Sequence, residues 1–476
     1  MIQQPELAAL VSSLAILGRI FDDLELDAQG PADEDLFTRL PLPRDFRNDP
    51  AYVATIEHTR NLFGNEGGGF WDTMESDSSE TAAIALLLTR LPNLRRLELW
   101  LPARIWLLNG AIFDPSSRDD PNSSTFASLE EITLAGAESS GMDWIGFLNL
   151  PALRRIYAIN VGPGDYERDA TEDPTSLVTE FHFRECCLSA HELDFILSAC
   201  KQLVTFVYEL GEKEVEEKMA HRMESQEWVD CIQQVLLRHA RGTLQNLCLT
   251  YRYWELHDFS TLGSVPLCTG QFMRLSFLKI SAILIFGEQT VMFHDEDDED
   301  DPDIPWNAEE AKRIHNGMID AFPPRLQRLH ITECMEIIKR ERPTSLFTDV
   351  IRAAPLEGFS ELVFVDAGPE KDSNGDMSLT SEVMEHATLI AAVCVQREFD
   401  FELAVQRHDY YDNRITLERG WGMEDEVRWN CEGKDPSEQT AYFWWNFKLK
   451  ELDQITDNSN PEEYRKPLSH KYVKLT

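Results

Sequence analysis

The sequence predicts an α/β solenoid, because one short apolar pattern recurs in order along most of the chain and helical patterns separate several copies. The pattern is apolar-x-x-apolar-x-apolar, and the early copies begin 35, 24, 25 and 25 residues apart. Leucine-rich repeats use this pattern with a period of roughly 20–29 residues. We therefore predict a leucine-rich-repeat solenoid with a parallel sheet on its concave face and helices on its convex face. The nine clear copies begin at Leu94, Leu129, Leu153, Val178, Leu203, Leu244, Leu275, Leu326 and Phe359.

Two further segments fit the pattern less well. Residues 396–401 form a weak copy, and residues 11–16 fit either another copy or one face of a helix. Residues 178–186 and 326–334 extend the pattern to a Cys at the ninth place, where leucine-rich repeats use Asn or Cys.

Each copy should contribute one strand, because side chains alternate along a strand and the second and third apolar residues would then enter the core together. We expect the six copies that begin at residues 94 to 244 to be neighbouring parallel strands. Amphipathic periodicity predicts helices between copies. These helical patterns cover residues 81–91, 189–200 and 228–240.

Charge and cysteine content restrict the classes of partner and compartment. The net charge of −40 disfavours nucleic acid and anionic membrane surfaces, and it suits basic partners or solubility alone. Nine cysteines without a CxxC pair argue against a disulfide framework and favour a cytoplasmic or nuclear location. The apolar runs are too short to span a bilayer.

The pattern also predicts a domain organisation. We expect a helical lead-in over residues 1–80, the solenoid over residues 81–405 with an acidic insertion near residues 288–310, and a C-terminal cap with a partly disordered tail over residues 406–476. The acidic run at residues 295–303 lacks the glycine and the final glutamate of a calcium loop. A disordered insertion and a contact for a basic partner are both open interpretations. The aromatic C-terminal segment suits a cap, and an exposed docking patch is the alternative.

The candidate partner-binding residues occupy the third, fifth and seventh places of the pattern, which should project from the concave face. Arg, Trp and Tyr are enriched at binding hot spots. A solvated face with incidental charge pairs is the alternative for each residue. The residues selected are Trp100, Arg155, Tyr157, His182, Arg184, Arg328 and His330.

No motif nominates catalytic or metal-binding residues. His191–Glu192 lacks the second histidine of a zinc protease, and no G-x-S-x-G elbow or phosphate-binding glycine loop occurs. Cys186 and Cys187 have no second cysteine or histidine cluster at ligand spacing. We therefore predict no cofactor and no enzymatic activity. An enzyme whose site is scattered through the fold is the remaining interpretation.

The segments PELAALVSSLAIL, at residues 5–17, and AIALLLTRLPNLRRLELW, at residues 83–100, with the LRRL-type strands, resemble fungal F-box and leucine-rich-repeat proteins. The resemblance is to the region after the F-box and covers most of residues 1–405. It implies that the repeats recognise a protein substrate, and that an F-box would dock Skp–cullin ligase components. The F-box itself is not found, so an F-box encoded upstream and a chain that keeps only the binding surface are both open. An acidic scaffold or chaperone for basic proteins such as histones is the alternative function.

Overall fold

The computed structural model describes part of the chain, and it divides into two compact units. Unit 1 comprises residues 1–223 with 234–240, and unit 2 comprises residues 224–233 with 241–476. The described residues are 5–17, 53, 87–88, 90–101, 126–136, 144–159, 161, 176–184, 186, 188, 190–210, 226–251, 268–286, 308–332, 334, 338, 341–365, 370–371, 377–378, 381–405, 441–446 and 451–455.

The six strands of unit 1 pair in chain order, and every pair is parallel. A second backbone contact precedes each strand from β2 to β6. The amides of Arg154 and Arg155, for example, both donate to the carbonyl of Glu130, at 2.8 and 3.2 Å. This ladder fixes the register before the strand begins. The strands are β1 (Ser13–Leu17), β2 (Arg96–Leu101), β3 (Glu131–Gly136), β4 (Arg155–Ile159), β5 (Glu180–Arg184) and β6 (Thr205–Leu210).

Unit 2 repeats the same arrangement. Five of its strands pair in parallel in the order β7, β8, β9, β10, β13, and β14 and β15 then extend the sheet in antiparallel pairing. The short strands β11 and β12 pair with each other. The strands are β7 (Asn246–Tyr251), β8 (Phe277–Ser281), β9 (Arg328–Thr332), β10 (Glu361–Val365), β11 (Glu370–Lys371), β12 (Met377–Ser378), β13 (Asp400–Val405), β14 (Ala441–Asn446) and β15 (Glu451–Ile455).

Helices stand between several strands. The patterns at residues 189–200 and 228–240 do form helices, whereas most of the predicted helix at residues 81–91 lies outside the described residues. A 3₁₀ helix at Trp144–Asn149 precedes β4. The α-helices are α1 (Pro5–Ala8), α2 (Ala190–Ser198), α3 (Gln226–Ala240), α4 (Ala282–Phe286), α5 (Ala308–Ala321), α6 (Glu341–Ala353) and α7 (Ser381–Gln396).

The α/β leucine-rich-repeat fold class is confirmed. The fourth and sixth places of each clear copy are buried, as in Ile156 and Ala158 of β4, and helix side chains such as Ile196 of α2 add to the core. The strand interpretation of residues 11–16 is right, because β1 pairs with β2. Described strands of unit 1 pair in parallel as predicted. The domain boundaries, the acidic insertion and the cap stay predictions, since residues 287–307 and most of residues 406–476 lie outside the described part.

The weak copy at residues 396–401 was placed in the wrong register. Glu361 pairs with Asp400, so Asp400 holds the third place and the strand continues to Val405. Glu398, which the pattern puts on the sheet face, instead precedes the strand with a φ of 62°. The alternation Phe399, Phe401, Leu403 hides this shift, because moving a strand by two residues leaves the same face buried.

Candidate functional site

The candidate binding surface is the sheet face opposite the apolar core, which we call the row face. It carries the third, fifth and seventh places of each copy, and parallel pairing aligns like places across strands as three rows. In unit 1 the third-place row contains Arg96, Glu131, Arg155, Glu180 and Thr205. The fifth-place row contains Glu98, Thr133, Tyr157, His182 and Val207, and the seventh-place row contains Trp100, Ala135, Ile159, Arg184 and Glu209.

The middle of the row face in unit 1, at the fifth and seventh places of β3–β5, is largely buried, although it contains several polar residues. Tyr157 is 7% exposed and His182 is 5% exposed, and Thr133, Ala135 and Ile159 are also buried. Substitution of these residues would therefore test packing as well as binding.

Tyr157 and His182 form a stacked pair on neighbouring strands. Their ring centroids are 4.5 Å apart at an interplanar angle of 28°. Burial, followed by the charge of Glu131, raises the pKa of Tyr157 to about 12. His182 Nε2 lies 3.9 Å from a carboxylate oxygen of Glu180. That polar contact with His182, helped by the charge of Arg155 and opposed by burial, holds the pKa of Glu180 below its ordinary value.

The accessible part of the row face lies where the strands begin. We define the rim as the third-place residues that begin β2–β5 together with the second-place residues just before them, and it is more exposed than the rows behind it. The side chains of Arg95 and Arg96 are 65% and 64% exposed, and that of Glu130 is 48% exposed. The rim residues are Arg95, Arg96, Glu130, Glu131, Arg154, Arg155, Thr179 and Glu180.

The charge of the rim alternates from strand to strand. Two arginines on β2 face two glutamates on β3, and two arginines follow on β4. Arg155 forms a close ion pair with Glu131 at 2.6 Å. The pairs Arg95–Glu130 and Arg96–Glu131 are longer, at 3.7 and 3.9 Å, and exposed pairs of this kind contribute about 0–1 kcal/mol.

The seventh-place row of unit 1 ends with an ion pair between Arg184 and Glu209, beside the hydrogen bonds that hold the turn after β5. Arg184 Nε lies 3.2 Å from Glu209, and both side chains are largely buried. The Cys186 thiol donates to the carbonyl of Ala158 at 3.3 Å, and the Tyr208 hydroxyl donates to the carbonyl of Cys186 at 2.6 Å. The ninth-place cysteine thus ties the turn after β5, which is the role that its place in the repeat indicates.

The row face of unit 2 contains a second polar cluster around His330. The Arg328 guanidinium lies 4.9 Å from the centre of the Phe277 ring, and that ring meets His330 edge-on at 4.8 Å. His330 Nε2 is 2.9 Å from a carboxylate oxygen of Glu361. Burial lowers the pKa of His330, with Glu361 opposing the shift and the charges of Lys279 and Arg328 adding to it.

The structure thus brings together two groups of the residues selected from the sequence, one in each unit. Arg155, Tyr157, His182 and Arg184 occupy adjacent strands of unit 1. Arg328 and His330 lie together in unit 2, and the side chain of Trp100 lies outside the described part of the structure.

Sequence reasoning missed the second-place residues of the rim. Arg95, Glu130 and Arg154 are exposed, yet only the third, fifth and seventh places were considered. The signal was present as the doubled charges RR, EE and RR in three successive copies.

Comparison with family models finds a leucine-rich repeat domain at residues 140–301. The match covers β4, β5 and β6 of unit 1 and β7 and β8 of unit 2. A search of curated proteins gives no match. The described helices include none that is long and apolar enough to cross a membrane. Among the described residues no group of three His, Cys, Asp or Glu side chains could hold a metal ion.

Proposed function

We propose that this chain is a protein-recognition module of the kind found after the F-box in ubiquitin ligase receptors, and that the rim of unit 1 contacts the partner. The match to a leucine-rich repeat domain supports a protein-binding role. The observation that carries the proposal is the contrast within the row face. Its middle is buried, whereas the rim presents exposed guanidinium and carboxylate groups at the starts of β2, β3 and β4 and a partly exposed carboxylate on β5.

The rim suits recognition because its side chains can form directional hydrogen bonds and the paired strands hold them at a fixed spacing. The backbone amides that precede each strand already donate to the preceding copy, so the rim offers side chains rather than a free strand edge. Arginine can donate from five N–H groups and is enriched at binding hot spots. Long and exposed ion pairs leave donors on Arg95 and Arg96 that a partner can use.

A second candidate function is an acidic scaffold or chaperone for basic proteins such as histones. The net charge of −40 and the run DEDDEDDPD at residues 295–303 favour it. That run lies outside the described residues. Long-range attraction of basic partners by such a charge would weaken steeply with salt.

Affinity capture of the tagged full chain, with partners identified by mass spectrometry, separates the two functions. Skp–cullin subunits together with a further protein support the ligase receptor, and histones or ribosomal proteins support the scaffold. The rim is tested by the Arg95→Ala/Arg96→Ala variant, whose matched control is Lys312→Ala/Arg352→Ala on exposed helix positions of unit 2.

We expect the rim variant to lose the captured partner and the control variant to retain it. Circular-dichroism melts of both variants establish that the fold is intact. Equal capture by the rim variant, the control and the unaltered chain would exclude the rim as the contact surface.

A further inference from the structure

The alternation of charge along the rim has a spacing that selects the shape of a partner. Going from β2 to β5, the rim is positive, negative, positive and negative. Neighbouring strands lie about 4.8 Å apart, so these four groups span about 14 Å across the strands. The spacing is set by the backbone ladder and not by side-chain choice.

An α-helix matches this spacing and an extended peptide does not. One face of a helix presents a residue about every 5.4 Å, so four such residues span about 16 Å. One face of an extended chain presents a residue about every 6.6 Å, and four of them span about 20 Å. Over four strands, the residues of a helix therefore stay within about 2 Å of the matching rim residues along the rim. The residues of an extended chain drift by about one strand spacing over the same distance.

Resting on the proposed function, we infer that the rim of unit 1 binds a partner helix that lies across the strands with acidic, basic, acidic and basic residues at i, i+4, i+7 and i+11. The acidic residues meet the arginines of β2 and β4, and the basic residues meet the glutamates of β3 and β5. Because the stripe alternates, a helix with the reverse order of charges matches the rim when it runs in the opposite direction. A helix whose charges run acidic, acidic, basic and basic at the same positions meets two like-charged neighbours in either direction.

Arg95 and Arg96, at the β2 end of the rim, are the residues best suited to a charge-reversal test. The side chains of Arg95 and Arg96 are 65% and 64% exposed, and their ion pairs, at 3.7 and 3.9 Å, are longer than the pair between Arg155 and Glu131. Arg155 is held at 2.6 Å by Glu131 and is partly buried, so its reversal would disturb the fold. The reversal Arg95→Glu/Arg96→Glu therefore changes the surface with the least change in packing.

The test measures binding of designed alanine-rich helical peptides to the full chain by fluorescence anisotropy at low ionic strength. One peptide carries Glu, Lys, Glu and Lys at i, i+4, i+7 and i+11. A second carries Glu, Glu, Lys and Lys at the same positions, which mismatches the rim in both directions, and a third distributes two Glu and two Lys around the helix. We expect the first peptide to bind at least about tenfold more tightly than the other two, with a preference that added salt screens.

The reversal Arg95→Glu/Arg96→Glu should weaken binding of the first peptide about tenfold. A peptide whose first Glu is replaced by Lys should regain affinity for that variant. The matched control, Lys312→Glu/Arg352→Glu, changes the net charge by the same amount in unit 2 and should leave binding unchanged. Circular-dichroism melts of both variants show whether each remains folded.

Equal binding of the three peptides, absence of binding, or an equal effect of the control variant would overturn the helix inference. Failure of the proposed function is a different result, seen when capture of cellular partners does not depend on Arg95 and Arg96. If cellular partners still depend on Arg95 and Arg96 while the peptides are not distinguished, the rim is a contact surface for a partner that is not a striped helix.

Discussion

Replacing Ile156 with alanine tests whether the repeats share one tightly packed core. Ile156 is fully buried in β4, and its neighbours in register, Ile132 on β3 and Phe181 on β5, are fully buried as well. The substitution removes three buried carbons, which at about 0.8 kcal/mol each cost about 2.4 kcal/mol in transfer free energy. Flanking strands held by the backbone ladder cannot collapse into the space, so a cavity cost is added. We expect a total loss of about 3–4 kcal/mol.

The assay is urea unfolding followed by circular dichroism, compared with Arg154→Ala as the control. Arg154 is two positions away and exposed, and its guanidinium donates to the carbonyl of the adjacent Leu153. The control should change the free energy of unfolding by no more than about 0.5 kcal/mol. A loss below about 1 kcal/mol for Ile156→Ala, or an equal loss in both variants, would refute a packed core at this repeat.

Four further predictions follow from burial, charge and backbone geometry. Tyr157→Ala should lower the free energy of unfolding by about 3 kcal/mol, because the ring is buried against His182. An unchanged melting temperature would indicate that Tyr157 is exposed, as the sequence pattern predicts. Because the pKa of His330 is lowered in the folded protein, the unfolded chain takes up the proton first as the pH falls. The contribution of His330 to stability is therefore full above about pH 6.5 and is lost as the pH drops toward the folded-state pKa. His330→Gln should flatten this pH dependence in unfolding curves, and an unaltered slope would contradict it. Glu398→Gly should raise stability in urea by about 0.5–1 kcal/mol, because φ is 62° at a residue with a side chain, and a decrease would be the contrary result. Deleting residues 295–303 should leave the thermal melting temperature nearly unchanged, since like charges contribute no packed apolar area; a large fall, or one that calcium prevents, would show a structural role.

The strands could be read from the sequence because their signal is local. Alternating apolar residues at a fixed offset specify which side chains enter the core, so β2 to β10 fall where the clear copies predict, with each strand beginning two residues after the first apolar place. Asp400 shows the limit of this signal. A two-residue shift preserves the alternation, and only the pairing with Glu361 fixes the register. Helix α7 was not predicted, because apolar residues such as Leu389 and Val395 also occupy its exposed face and obscure the stripe of its buried residues.

The sequence by itself determined the repeat, the parallel sheet and which side chains of each strand share a face, because these depend on a period of two residues and on apolar content. It also contained the doubled charges of the rim. Only the tertiary structure decided which polar residues are accessible. Tyr157 and His182 are polar by composition, yet they are buried against each other, whereas Arg95 and Arg96 are exposed at the start of their strand. Accessibility depends on which side chains the neighbouring strands bring against each other, as with Tyr157 and His182, and no pattern within one copy encodes that.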